Sequence, residues 1–146
     1  MHHETASVDS EKLQQLKTAY EESVGSPEED DKRFEYAAVL INSESAEDKT
    51  RGVAHLKEMI ATGSPNARDS HYLLALGLCR LREYTPARDS IKRLLWLEPE
   101  NRQAKDLLNK IEEDARKENL IRIGIVGGIG LAIGTVLSVL ISRTRK

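Results

Sequence analysis

Apolar residues recur every three or four positions through the first 119 residues, and then run almost unbroken toward the end of the chain. The periodic part predicts amphipathic helices. Leu13, Leu16, Ala19 and Tyr20 share a face over 8–24, and Gly25-Ser26-Pro27 ends that helix. Phe34, Ala37, Ala38 and Ile41 share one over 31–43. Val53, Leu56, Met59 and Ile60 point inward over 46–61, and Gly63-Ser64-Pro65 stops the third helix. Three more follow over 68–82, 85–97 and 101–119. Their inner faces carry Tyr72, Leu74 and Leu78, then Ala87, Ile91 and Leu94, then Ala104, Leu107 and Ile111. No alternating strand pattern of useful length occurs. The expected fold class is all-α, a six-helix bundle.

An internal period narrows the arrangement. Pro65 and Pro99 lie 34 residues apart, as do Leu40 and Leu74. Gly52/Ala87, Leu56/Ile91, Met59/Leu94 and Ile60/Leu95 are 35 apart, so the halves match with a one-residue slip. Paired helices at this period point to two tandem tetratricopeptide (TPR) units, against an ordinary bundle with accidental periodicity. The second unit fits better; in the first, Gly52 stands where Ala is usual. Two units are fewer than the three a stack usually needs, so the flanking helices must cap its apolar edges.

The C-terminal pattern differs in kind. Ile123 to Ser142 are 20 residues without a charge, followed by Arg143-Thr144-Arg145-Lys146. As a helix this run is ~30 Å long, the thickness of a bilayer's hydrocarbon core. A buried helix of a soluble protein is the alternative, but the run is apolar on every face, and its glycines would weaken a helix in water by ~1 kcal/mol each. In lipid, backbone groups must bond internally and the helix is enforced. The expected organisation is a flexible arm over 1–7, a cytosolic TPR-like domain over 8–119, a transmembrane tail anchor over 120–142 and a basic tail over 143–146. Gly124/Gly128 and Gly130/Gly134 form GxxxG spacings that let two copies of the span pack as a homodimer.

Charge follows the same division. All 24 acidic residues precede Leu120, against 18 basic residues up to Asn119, which leaves the head at −6. An acidic head without a basic stripe argues against nucleic acid as partner. The single cysteine, Cys79, has no internal disulfide partner, which suits a reducing compartment. His2-His3 are adjacent terminal histidines, weak as ligands or a cloning remnant, and His55 and His71 lack neighbours at metal-motif spacing. No phosphate-binding glycine loop occurs in the head. The expectation is no enzyme, no cofactor and no metal.

Five segments occur in an order that resembles a known family: RFEYAAVLINS (33–43), TRGVAHLKEMI (50–60), YLLALGLCRLREYTPAR (72–88), LEPENRQAKDL (97–107) and IVGGIGLAIG (125–134). Together they look like the tail-anchored TPR-like fission adaptors of mitochondria and peroxisomes. The resemblance covers roughly 30–146. It implies a membrane-anchored adaptor on the mitochondrial outer membrane and the peroxisomal membrane, head toward the cytosol, recruiting a dynamin-related GTPase and its adaptors. A Rab GTPase-activating protein is a further partner it implies, and an N-terminal arm lies over the groove in some members. The groove is implied to be concave and lined by the first helix of each unit. On this chain that gives Tyr72, Leu76 and Cys79 with Arg80 at the rim, and Ala37, Ala38 and Ile41 with Tyr36 nearby. The alternative is that several of these residues pack under the N-terminal helix. Arg143, Arg145 and Lys146 are the expected targeting residues. Two other classes remain open: a tail-anchored TPR co-chaperone, and a helical apoptosis regulator on the same membrane.

Overall fold

Short turns fold each helix back on the one before it. A computed structural model describes the backbone of residues 2–144 and the side chains of residues 9–124. The helices are α1 (His2–Ser23), α2 (Glu29–Asn42), α3 (Ala46–Ala61), α4 (Ala67–Arg80), α5 (Tyr84–Leu97) and α6 (Arg102–Thr144). The all-α architecture and its order agree with the sequence pattern to within two residues for most ends. At the N-terminus α1 begins at His2, so its backbone extends through the residues expected to form an arm; neither Gly nor Pro precedes Gly25 to stop it.

Two units are distinguished, residues 1–111 and residues 112–146. In the first, α2 packs on α3 and α4 on α5, the two TPR-like pairs, while α3 packs on α4, α2 on α4, and α1 on α2. The core runs through Ala37, Ile41, Leu56, Leu78, Ile91 and Leu94 and on to Ala104, Leu107 and Ile111 at the start of α6. Thus α1 and the opening of α6 cover the ends of the stack, as its two-unit length requires. The second unit is the remainder of α6. The span expected over 120–142 falls mainly on side chains outside those described, as do Gly128, Gly130, Gly134, Arg143, Arg145 and Lys146. Among the described residues no helix is long and apolar enough to cross a membrane. Gly124 is exposed, with open space around it.

Helices α3 and α4 end alike on different residues. After α3, Ser64 N donates to Met59 O (3.0 Å) and Gly63 N to Ile60 O (3.2 Å). After α4, Glu83 N donates to Leu78 O (2.9 Å) and Arg82 N to Cys79 O (2.9 Å). Both are Schellman closures with a left-handed residue, Gly63 at φ 68° and Arg82 at φ 61°. Only glycine adopts that conformation without strain.

The glycine at position 52 has a packing reason. A Cβ there would lie 2.8 Å from Ile41 Cγ2, 2.9 Å from Leu40 Cβ and 3.1 Å from the Ala37 carbonyl oxygen. At Gly77 it would lie 2.9 Å from Ile41 Cγ2 and 3.1 Å from Val53 Cγ2. Ile41, fully enclosed, is therefore a knob held between α3 and α4 where both lack side chains.

Candidate functional site: the face of α2 and α4

The N-terminal ends of α2 and α4 are joined by a polar clasp. Ser64 Oγ, in the α3–α4 turn, donates to Asp30 Oδ2. Asn66 Nδ2 donates to the same oxygen (3.0 Å) and to Asp31 Oδ1 (2.9 Å). The C-terminal ends are joined by Arg80, whose Nη1 donates to Ile41 O (3.0 Å) and to Asn42 Oδ1. Between these two ties the helices run side by side.

Beyond the clasp lies a depression of about 180 Å³, floored by Phe34 of α2 and by Tyr72 and Leu73 of α4, with Arg68, Asn101 and Gln103 on its rim. Arg68 fixes one wall. Its Nη2 donates to Glu98 Oε2 (2.6 Å), its Nε also bonds Glu98, and Asp69 pairs with Nη1. Arg68 first, then Asn101, holds the Glu98 carboxyl at about 2, and Glu98 first, then Asp69, raises the Arg68 guanidinium. Asn101 Oδ1 accepts from Ala104 N (3.0 Å), so one residue caps α6 and steadies the wall. A second depression, about 260 Å³, lies across α4 between α3 and α5, over Ile60, Leu74, Leu78 and Pro86.

On the other side of α2 the surface is used up by α1. The Tyr20 ring stacks on Tyr36 (centroids 6.0 Å apart, 20° between planes) and meets His55 edge-on at 5.5 Å. Tyr36 and His55 also meet edge-on at 5.5 Å. Arg33 lies 5.9 Å over the Tyr20 ring, donates from Nε to His55 Nδ1 (3.2 Å), and pairs with Glu58. Burial pushes the Tyr36 hydroxyl up. Burial first, then Arg33, pushes the His55 imidazolium down.

The residues singled out from sequence therefore fall in different places. Tyr72, Leu76 and Ala38 are half-buried and Arg80 is exposed, tying α4 to α2. Tyr36 lies under α1, and Ala37, Ile41 and Cys79 are buried in the core. The depression itself is built largely from Phe34, Arg68, Leu73 and Asn101, which sequence reasoning did not assign to a groove. A partial signal existed for Phe34, one turn before Ala37 and Ala38 on the same helical face. Nothing local signalled Arg68, because Glu98 is 30 residues away. Among the described residues no cluster of His, Cys, Asp and Glu is arranged to hold a metal ion.

Comparison with known proteins agrees with this architecture. The Fis1 C-terminal tetratricopeptide repeat family matches residues 68–120. The mitochondrial fission 1 protein of Mus musculus is 40% identical over 102 residues, 69% of this chain and 67% of the mouse protein. That of Debaryomyces hansenii is 37% identical over 140 residues, covering 95% of this chain and 90% of the other. Among solved structures, yeast Fis1 in complex with an Mdv1 fragment, containing the N-terminal extension and coiled-coil domains, superposes with a TM-score of 0.69 at 28% identity. That match covers 75% of this chain and 86% of the yeast one.

Proposed function

This chain belongs to the mitochondrial fission 1 family, and on that premise we propose that the open face of α2 and α4 is where it receives its partners. The chain is a TPR-like adaptor of mitochondrial fission, associated with mitochondria and binding fission adaptors. The family is an adaptor family and not a known enzyme family. In the finer reading, residues 120–142 anchor it in the mitochondrial outer membrane and the peroxisomal membrane, with the basic residues 143, 145 and 146 directing it there. The head then faces the cytosol and brings a dynamin-related GTPase to the membrane through an adaptor, with a Rab GTPase-activating protein as a further partner. GxxxG packing of the anchor makes a homodimer.

The observation that carries the groove reading is the half-exposed pair Tyr72 and Leu76 on α4, with Tyr72 forming part of a depression large enough for one partner side chain. Aromatic and aliphatic anchors of this kind carry most of the energy when a helix seats in a groove. The two rival classes fit less well. A receptor for chaperone carboxylate tails would need cations where Tyr72 and Leu76 stand. An apoptosis regulator would need one apolar helix wrapped by the others, whereas α2–α3 and α4–α5 are stacked pairs.

Proximity labelling from the full-length chain in cells that otherwise lack it tests the reading. Wild type should label a dynamin-related GTPase or its adaptors and restore fission. A Tyr72→Ala/Leu76→Ala chain, at equal abundance and on the same organelle, should do neither. Undiminished labelling and fission by the double variant would move the binding surface elsewhere.

A further inference from the structure

The clasp between α2 and α4 contains a motif that partner binding does not use. Ser64 is followed by Pro65, and a Ser or Thr before Pro is what proline-directed protein kinases recognise. Two other such pairs occur, Ser26-Pro27 and Thr85-Pro86. Ser26 Oγ accepts from Glu28 N within its own turn (3.2 Å), and Thr85 is exposed on α5. Ser64 differs in that its hydroxyl reaches another helix, donating to Asp30 while accepting from Asn66 N (3.0 Å). It sits in the turn between α3 and α4, half-buried, with Thr62, Gly63 and Pro65 exposed around it.

We propose that Ser64 is phosphorylated by a proline-directed kinase and that the phosphate unclasps the N-terminal ends of α2 and α4. In the transfer, Ser64 Oγ forms a bond to the γ-phosphorus of ATP. The bond from that phosphorus to the β–γ bridging oxygen breaks, ADP leaves, and the hydroxyl proton goes to the kinase's base. The product has lost the proton that Ser64 gives to Asp30. It also brings about −1.5 to −2 charges against the carboxylates of Asp30 and Asp31. The bridge from Asn66 Nδ2 to Asp30 and Asp31 is then stretched, because the phosphate and the two carboxylates repel one another across it. Arg68, the second residue of α4, is already engaged by Glu98 and Asp69. The tie at the other end, Arg80 to Ile41 and Asn42, contains no group the phosphate reaches, so the opening is confined to one end.

Phe34 lies one turn after Asp30 in α2, and Arg68 lies four residues after Ser64 at the start of α4, so the loosened segments are those that border the depression. The consequence for adaptor binding rests on the reading of that face as the partner groove. Phosphorylation and unclasping do not, and the experiment reads them directly.

The full-length chain in detergent micelles is treated with a proline-directed kinase and ATP, and phosphopeptides are mapped by mass spectrometry. Phosphate should appear on Ser64, persist in a Ser26→Ala/Thr85→Ala chain and vanish in Ser64→Ala. Amide hydrogen exchange should then rise about tenfold over 29–34 and 64–70 in the phosphorylated chain, with the residues around Arg80 unchanged. In Asp30→Asn the side-chain amide donates to the phosphate, so phosphorylation should leave exchange unaltered or slow it. Phosphate confined to Ser26 or Thr85 overturns the proposal. So does phosphorylated Ser64 with exchange in the wild type unchanged or slowed, which would mean that a cation such as Arg68 has turned to receive the phosphate.

Discussion

Helices α2 and α4 hold equivalent places in the two repeats, yet their apolar faces meet different fates. On α4, Tyr72 and Leu76 remain half-exposed. On α2, Tyr36 is roofed by Tyr20 of α1, and Ile41 is sunk between Gly52 and Gly77. The difference lies in position within the stack. A terminal repeat must give up surface to a capping helix, because no further repeat covers it. Both repeats supply core, but α2 gives the flank carrying Tyr36 to α1, whereas α4 keeps Tyr72 and Leu76 half-exposed.

The largest break in this comparison should come from Ile41→Ala. It removes a fully enclosed side chain from a site that two glycines shape around it, and unfolding by denaturant should show a loss of about 3–4 kcal/mol. A loss below about 1 kcal/mol would mean that Ile41 belongs to a binding face rather than the core. Tyr72→Ala should invert the pattern, with a loss of stability well below that of Ile41→Ala and partner affinity reduced about 30-fold, or about 2 kcal/mol, by titration calorimetry. Equal loss in both measurements would erase the division between the repeats.

Gly52→Ala should destabilise by about 1–2 kcal/mol, despite alanine's better helix propensity. The Cβ meets the Leu40 Cβ and the Ala37 carbonyl, which cannot turn away as a flexible side chain could. Thermal melting no lower than wild type would show that α2 and α3 can separate freely. The opposite sign is expected for Arg82→Gly, which relieves the left-handed strain that Gly63 avoids at the same point after α3. A gain of about 1 kcal/mol should appear as a higher melting temperature.

The smallest effect concerns pH and the α1 contact. His55 in the folded chain has its pKa depressed by burial and by Arg33, so the unfolded chain binds its proton more readily. Its contribution to stability is complete above its ordinary value of about 6.5 and is lost as pH falls below that value toward the depressed one. His71 is shifted the same way, by burial and Arg93. His55→Gln should flatten the decline in stability on acidification, and an unchanged slope would assign it to His71 or to other groups.

Legibility in the sequence differed between fold and site for physical reasons. Helix limits are local: Gly63 after α3 and Ser45, whose Oγ accepts from Asp48 N (3.3 Å), each act over a few residues. The depression and the clasp beside it are non-local. Arg68 meets Glu98 and Ser64 meets Asp30 across 30 and 34 residues, and no periodicity in either helix announces such pairs. Gly52 shows the same limit from the other side. It looked like a defect in the repeat, and the close approach of α2 makes it a requirement.

By itself the sequence determined six helices, their pairing at a period near 34 and the resemblance to fission adaptors, since each depends on residue spacing along one chain. The tertiary structure alone decided which apolar residues of those helices become core and which stay open. Two side chains on the same helical face differ in burial only through what packs across from them, and the chain's neighbours in space are not its neighbours in sequence.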